Sequence, residues 1–464
     1  MPKQITFSRF DLGMDLRKGP AVSDANRLQS LRNGYVTTGL AIAKRPGLTK
    51  VGTLESGTKG LFAANGKLNT FYCGSEQITH SNPLFNAIRL YNDNKAVTEV
   101  HYATLFSGCV YCVVTHSGGE IKHHYLDSGS NTLVTDGNCP QTKACIKMAS
   151  KIFAVGVNGD VVRYSATGNP RDWTTANDAG FLPTGMNAQG EREANALGVY
   201  KKSLVVMSAD SAQIWTVDPD PTAMGLEDTV ANVGSSFPRT VCNVNSDLYF
   251  LSDYGFRSIT TLAYTDNLSD VDIGSPIDTI VREKLKSTDK TPKSFYFYGT
   301  GQYVTCIGTQ LYVYSVSATA KVKAWSLYVL PEEVDDVAQL GQDMYLRCGD
   351  NVYKLDQEAY TDDGQQFETY IQIPYMDFKR PGILKHIVGI DVVCEGDCYV
   401  SVGFDESDTD AATPEALIRN NTRPGNLIPI ECIGTEFNFR IRNYDAKPFR
   451  LDAITVHFET LGAI

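Results

Sequence analysis

The run Leu204-Val-Val-Met207, followed by Ser208-Ala-Asp-Ser211 and then Ile214-Trp-Thr-Val217, decides the fold. Two short apolar runs flank a polar turn bearing Asp and Ser, which reads as an antiparallel hairpin. The pattern returns as Leu248-Tyr-Phe-Leu251, a turn at Ser252-Asp-Tyr-Gly255, and Arg257-Ser-Ile259. Working outward, the same beat recurs every 40–50 residues or so from about residue 55 to 360. Its members are Gly60-Leu-Phe-Ala63 with Asn69-Thr-Phe-Tyr72, and Ala103-Thr-Leu-Phe106 with Val110-Tyr-Cys-Val-Val114. Ala144-Cys-Ile-Lys-Met148 with Ile152-Phe-Ala-Val155 and Ala196-Leu-Gly-Val199 with Leu204-Val-Val-Met207 follow. Thr240-Val-Cys-Asn-Val244, Ser294-Phe-Tyr-Phe297 and Val337-Ala-Gln-Leu340 open the last three. About seven such units predict an all-β chain, a β-propeller of degenerate blades stacked in a ring so that each blade covers its neighbour's faces. A pair of aligned β-sandwiches is the competing architecture.

Composition agrees with a folded, strand-rich chain. Of 464 residues, 42% are hydrophobic and 20% charged, and 24 Tyr and 20 Phe favour strands. The net charge of −11 argues against wrapping nucleic acid on the bulk surface. It is unevenly spread: residues 1–50 carry about +6 and the remainder about −17. No run of 18 apolar residues exists, so no membrane span is expected. The N-terminus lacks the apolar core of a signal peptide, and eleven mostly isolated cysteines read as small buried hydrophobes of a reducing compartment.

Three segments follow. Residues 1–54 form a basic N-terminal arm or platform, with turns at Arg17-Lys-Gly-Pro20 and Lys44-Arg-Pro-Gly47 and two helical turns over Ser23–Leu31. This segment either reaches across a neighbour or begins the fold as an ordered edge. Residues 55–365 form the propeller, interrupted by an amphipathic helix over 275–287. There Ser275 would be the N-cap, Pro276 the first helical residue and Asp278 the capping-box acid, with Ile277, Ile280, Val281 and Leu285 on one face. Residues 366–464 form a C-terminal β-sandwich-like layer, in which Gln366–Pro374 reads as an edge strand stopped by Pro374.

Catalytic signatures are missing: the chain has no HExxH, paired CxxC, GxSxG or Walker A loop. Cys109 and Cys112 have zinc-like spacing without a second pair, and fit a strand. His123 and His124 are adjacent, so in a strand they face opposite ways and cannot easily share a metal. Asp218, Asp220 and Asp253 sit in turns, where they shape the backbone or supply a glycosidase with its carboxylates. Trp173, Trp215 and Trp325 close blade units, by packing or by sugar stacking. The loop Asp405-Glu-Ser-Asp-Thr-Asp410 is either solvated or calcium-binding, though without EF-hand spacing. No cofactor or metal is expected.

Several motifs in order carry a resemblance. They are Asn33-Gly34 with Lys44-Arg-Pro-Gly-Leu-Thr-Lys50, Gly168-Asn-Pro-Arg-Asp-Trp173, Ser208-Ala-Asp-Ser-Ala-Gln-Ile-Trp215 and Val233-Gly-Ser-Ser-Phe-Pro238. Ser252-Asp-Tyr-Gly-Phe-Arg-Ser258, Ser275-Pro-Ile-Asp-Thr-Ile280 and Pro374-Tyr-Met-Asp-Phe-Lys-Arg-Pro-Gly-Ile-Leu-Lys385 complete the series. Together they resemble the tail hub, or nozzle, proteins of short-tailed bacteriophages, which include packaged-DNA stabilisation proteins. The resemblance implies a non-enzymatic virion component assembled in the host cytoplasm, with six copies ringed below the portal and head-to-tail adaptor. Such a ring extends the channel for double-stranded DNA, meets fibre, needle or spike proteins, and retains packaged DNA until ejection. A negative channel wall would let phosphates slide, and the basic first 50 residues would face an acidic partner. A glycan-hydrolysing or glycan-binding propeller is the alternative. Arg45, Pro46, Gly47, Tyr254, Gly255 and Arg257 are expected at tight turns, with an Arg reaching a backbone or carboxylate acceptor.

Overall fold

A computed structural model describes residues 3–19, 24–127, 131–176, 178–186, 192–259, 272–408, 410–419 and 427–463. Pro20, Ser23 and Thr409 of the segments named above lie outside these residues. The repeated hairpins form six small sheets and one end of a larger, nine-stranded sheet. Their innermost strands are Lys59–Ala64, Val97–Phe106, Cys145–Met148, Ala196–Tyr200, Cys242–Val244, Lys293–Phe297 and Asp336–Leu340. Each touches the next and the last touches the first, so the ring closes: the chain is a seven-bladed β-propeller. The second strands explain the apolar runs of the sequence. Lys151–Val155 and Gln302–Ile307 are buried at every residue, because a blade is covered on both faces. The first blade departs from the antiparallel rule, since Phe85–Leu90 runs parallel to Lys67–Cys73.

The ring is sealed from the N-terminal side. Gly47–Thr53 pairs antiparallel with Asn351–Asp356 and becomes the outermost strand of blade seven. Arg347, 2% exposed, reinforces the seam by donating to the carbonyls of Thr58 and Gly60 at 2.6 and 2.9 Å. The segment 1–54 is therefore divided. Its last strand belongs to the propeller, and Lys3–Phe7, Ser30–Arg32, Gly34–Val36 and Ile42–Lys44 belong to the C-terminal sandwich. The two helical turns expected near Leu31 are absent among the described residues. Ser30–Arg32 is instead a strand between Val322–Val329 of blade six and Thr369–Met376 of the sandwich. Pairing on both sides outweighs a weak helical preference.

That strand fuses blade six to Thr369–Met376, Phe437–Asn443, Cys398–Gly403 and Ala416–Ile418 in one nine-stranded sheet. The facing sheet is built on Arg450–Ala463 and Ile383–Glu395. Between them Ile371, Ile387, Val400 and Ile454 are fully buried, and Phe378 stacks on Phe437 at 5.8 Å. Thr369–Met376 is thus an interior strand and Pro374 does not end it. A register shift between Ile373 and Met376 takes the proline, whose missing N–H would otherwise break the ladder.

The amphipathic helix runs Asp278–Lys286, two residues later than its N-cap signals suggest. Ile277 occupies the N-cap without a side-chain bond. The capping groups are used elsewhere: Ser275 Oγ accepts from Arg17 at 3.3 Å, and Asp278 Oδ2 accepts from Arg257 at 3.1 Å. Ile277 and Val281 are fully buried and Ile280 and Leu285 pack beside them, as the spacing requires.

Propeller and sandwich meet at Arg45, which is fully buried. Its guanidinium grips Asp362 with two bonds of 2.8 and 2.5 Å, donates to Asn33 Oδ1 at 3.0 Å, and lies 3.7 Å from the Phe367 ring. Removing one partner leaves a buried charge unmatched, so Asp362→Asn is expected to destabilise the chain by about 3–5 kcal/mol. Guanidinium unfolding monitored by tryptophan fluorescence measures this; a loss below about 1 kcal/mol would show the clamp to be dispensable.

Candidate functional site

The leading ends of the innermost strands converge on one mouth of the propeller axis. Lys59, Glu99, His101, Lys143, Arg239, Lys293 and Asp336 line two adjoining cavities there, of about 350 and 370 Å3. The segment after the helix, with Asp289, Lys290 and Thr291, borders both. Arg239 spans the axis. It donates from Nη2 to Asp336 of blade seven at 2.6 Å and from Nη1 to the Val100 carbonyl of blade two at 2.9 Å. Asp336 Oδ2 also accepts the Leu61 N–H of blade one at 3.1 Å. This hydrogen-bonded bar joins four blades and closes the axis at this mouth.

Burial pushes the Asp336 carboxyl up, but the charges of Arg239 and Lys293 outweigh it and hold it below the usual range. Burial lowers Lys293, whose ammonium donates to the Asp335 carbonyl. His101 is pushed down to about 3 by burial and then by Lys143, Arg239 and Lys293, so it is neutral at pH 7. Asp336 is therefore a fixed negative charge and His101 a neutral ring at pH 7, so neither is poised to exchange a proton near neutrality.

The residues singled out from the sequence are scattered over the molecule. Arg45, Pro46 and Gly47 make the propeller–sandwich joint, where a Cβ on Gly47 would lie 2.2 Å from the Thr361 carbonyl oxygen. Gly255 has φ +124°, and a Cβ there would meet the Asp278 carboxylate. Arg257 Nη1 donates to Asp272 at 2.6 Å and to the Phe256 carbonyl at 2.8 Å. Burial raises Asp278 to about 6, against the pull of Arg257. Tyr254 is 65% exposed at the tip of this turn. Trp173 and Trp215 are buried, as is Trp325, so none offers a face to a sugar. Beside Trp173, Arg171 reaches blade two, donating to Asp127, Tyr125 O and Leu133 O at 2.7–3.0 Å. Arg239, Asp336 and Arg347 carry no motif in the sequence. Their one signal was a charged residue at the edge of a strand pair, a position shared by many solvated side chains.

The glycosidase carboxylates are not brought together. Asp253 lies in the turn between the second and third strands of blade five and accepts from Ser236 at 2.8 Å. Asp218 and Asp220 follow the third strand of blade four, at the opposite end of an antiparallel blade. Asp220 caps the short 3-10 turn Pro221–Ala223. Asp405 binds Ser407 within its own exposed loop.

All eleven cysteines are free, and burial pushes the thiols of Cys112, Cys145 and Cys306 up. No group of three metal-ligating side chains occurs among the described residues. His123 and His124 do face apart, yet His124 meets His116 of the neighbouring strand, Nε2 to Nε2 at 3.0 Å. His116 Nδ1 donates to the Lys95 carbonyl at 2.8 Å, so its Nε2 accepts from His124. Thr132 Oγ1 lies 2.9 Å from His124 Nδ1 and completes a neutral chain.

Burial lowers His80 and His116, and takes His101, His123 and His124 to about 3. Their unfolded forms bind protons near pH 6.5, so the stability they contribute is complete above that pH and falls as pH drops toward 3. Denaturant midpoints measured between pH 7 and 4.5 are expected to decline, each such histidine adding a slope of up to about 1.4 kcal/mol per pH unit. A flat profile would contradict the neutral, buried assignment.

No family model matches the chain, and no curated protein matches it. Solved structures similar to it include BamB from Moraxella catarrhalis, with 11% identity, TM-score 0.36 and coverage of 76% of this chain and 97% of that one. The Neurospora crassa Pan2 WD40 domain is 9% identical, with TM-score 0.37 and coverage of 70% of this chain and 88% of its own. The extracellular domain of the putative one component system BT4673 from B. thetaiotaomicron is 9% identical, with TM-score 0.39 and coverage of 66% and 39%.

Proposed function

We propose that the chain is a structural subunit of a short phage tail. Six copies form a hub ring beneath the portal and head-to-tail adaptor, extend the DNA channel and retain packaged DNA until ejection. The ring is a non-enzymatic part of the virion, assembled in the host cytoplasm, and fibre, needle or spike proteins attach to it.

The observation that carries this reading is the ordered motif series from Asn33-Gly34 to Lys385, which resembles tail hub proteins along most of the chain. Structural features support it. Arg45, Arg171 and Arg257 of these motifs tie joints of the fold together, which suits a scaffold. Arg239 and Asp336 close the propeller axis at one mouth, so in this reading the duplex passes through the middle of the ring of copies. A subunit charge of −11 keeps the wall from gripping phosphates. Among the described residues no helix is long and apolar enough to cross a membrane.

Light scattering and negative-stain imaging of the purified chain, alone and with its adaptor ring, test the proposal. A six-fold ring, or a monomer that becomes one on the adaptor, is the expected result. A monomer indifferent to the adaptor would overturn it. Once the ring is imaged, replacing channel-facing carboxylates by Lys is expected to slow DNA ejection, and unchanged kinetics would remove the sliding-wall argument.

A further inference from the structure

Blades two and three enclose a groove of about 720 Å3 beside the turns Ser117–Glu120 and Gly156–Val161. Its size falls within the range of ligand sites. Phe181 and Arg163 are register partners on adjacent antiparallel strands, so their side chains share one face of the sheet. The alternation is clear: Val162, Tyr164 and Leu182 are buried on the opposite face, while Phe181 is 53% exposed. With the three tryptophans buried, Phe181 is an aromatic face open to a ligand inside a cavity.

Glu120 and Asn138 of the lining are bonded to Lys95 and Thr174, but three other polar groups have no partner among the described residues. Asn158, Asp160 and Arg163 make no side-chain hydrogen bond or ion pair with any described residue. Their backbone is nevertheless held firmly. Gly156 N–H donates to Val161 O at 2.7 Å, Ala194 N–H to Gly159 O at 2.8 Å, and Gly185 N–H to Asp160 O at 2.7 Å. With the turn backbone already held, binding there has only side chains left to order.

The chemistry narrows the ligand. A phosphate or other polyanion would meet the Asp160 carboxylate in the same groove, while the Glu120 charge is matched by Lys95. A wholly apolar ligand would strand one guanidinium, one amide and one carboxylate without water. An uncharged molecule with a flat C–H face and a rim of hydroxyls satisfies both the ring and the free polar groups. We propose that this groove binds a neutral oligosaccharide, one sugar ring lying on Phe181 and its hydroxyls bonded to Asn158, Asp160 and Arg163. The inference is independent of ring assembly.

The test uses the full chain with maltotriose, chitotriose and β-1,4-galactotriose, each at about 5 mM, followed by saturation-transfer NMR and calorimetry. At least one is expected to bind with sub-millimolar to millimolar affinity. Phe181→Ala and Arg163→Met are each expected to weaken it about tenfold, while Tyr254→Ala changes nothing. Phe181 lies on a short outer strand with its ring half in solvent, and thermal unfolding checks that the variants fold. No saturation transfer from any of the three sugars, or binding that survives both groove variants, would overturn the proposal. Ring formation by Phe181→Ala, measured as above, separates this outcome from failure of the tail reading.

Discussion

The paired bonds between Arg45 and Asp362 hold the two halves of the molecule in one frame. Arg45 lies between the sandwich strand Ile42–Lys44 and the propeller strand Gly47–Thr53, so it sits where the chain passes from one unit to the other. Its guanidinium has no access to water, and five acceptors, including the carbonyls of Pro46 and Val329, take the place of solvent. A buried cation is tolerated only with such complete compensation. The rest follows from this anchoring. Gly47–Thr53 is delivered to the edge of blade seven, where the N-terminal side of the chain supplies the outermost strand and closes the ring.

The same economy recurs between blades. Arg347, Arg239 and Arg171 each leave one blade to satisfy carbonyls or a carboxylate on another. Arginine suits this task because its planar fork makes several bonds at once. A propeller of degenerate repeats has few identical contacts at its interfaces, and these arginines fix the relative position of blades whose apolar surfaces alone would allow sliding. Within blade two, by contrast, neutral groups are used, with His116 and His124 sharing one hydrogen bond inside the sheet.

Much of the propeller was legible in the sequence because its elements are local. A hairpin needs only two apolar runs and a turn, and a seven-fold recurrence at near-constant spacing survives even where no residue is repeated. The helix face at Ile277 and Val281 was legible for the same reason. Its start was not, because Ser275 and Asp278 bind arginines distant in sequence, Arg17 and Arg257. The candidate site was less legible still. Arg239 and Asp336 are 97 residues apart, and Phe181 and Arg163 look like ordinary strand residues until pairing sets them side by side.

By itself, then, the sequence determined an all-β chain of about seven hairpin blades, one amphipathic helix, unpaired cysteines, and the glycine-dependent turn at Gly255. Each depends on periodicity or on the steric demands of a few neighbouring residues. Only the tertiary structure decided that the N-terminal 54 residues are shared between sandwich and propeller, that Thr369–Met376 is an interior strand, and that one mouth of the axis is barred. Those outcomes depend on pairing between residues hundreds of positions apart. Strand pairing through backbone groups leaves no residue-specific mark from which the partner can be read.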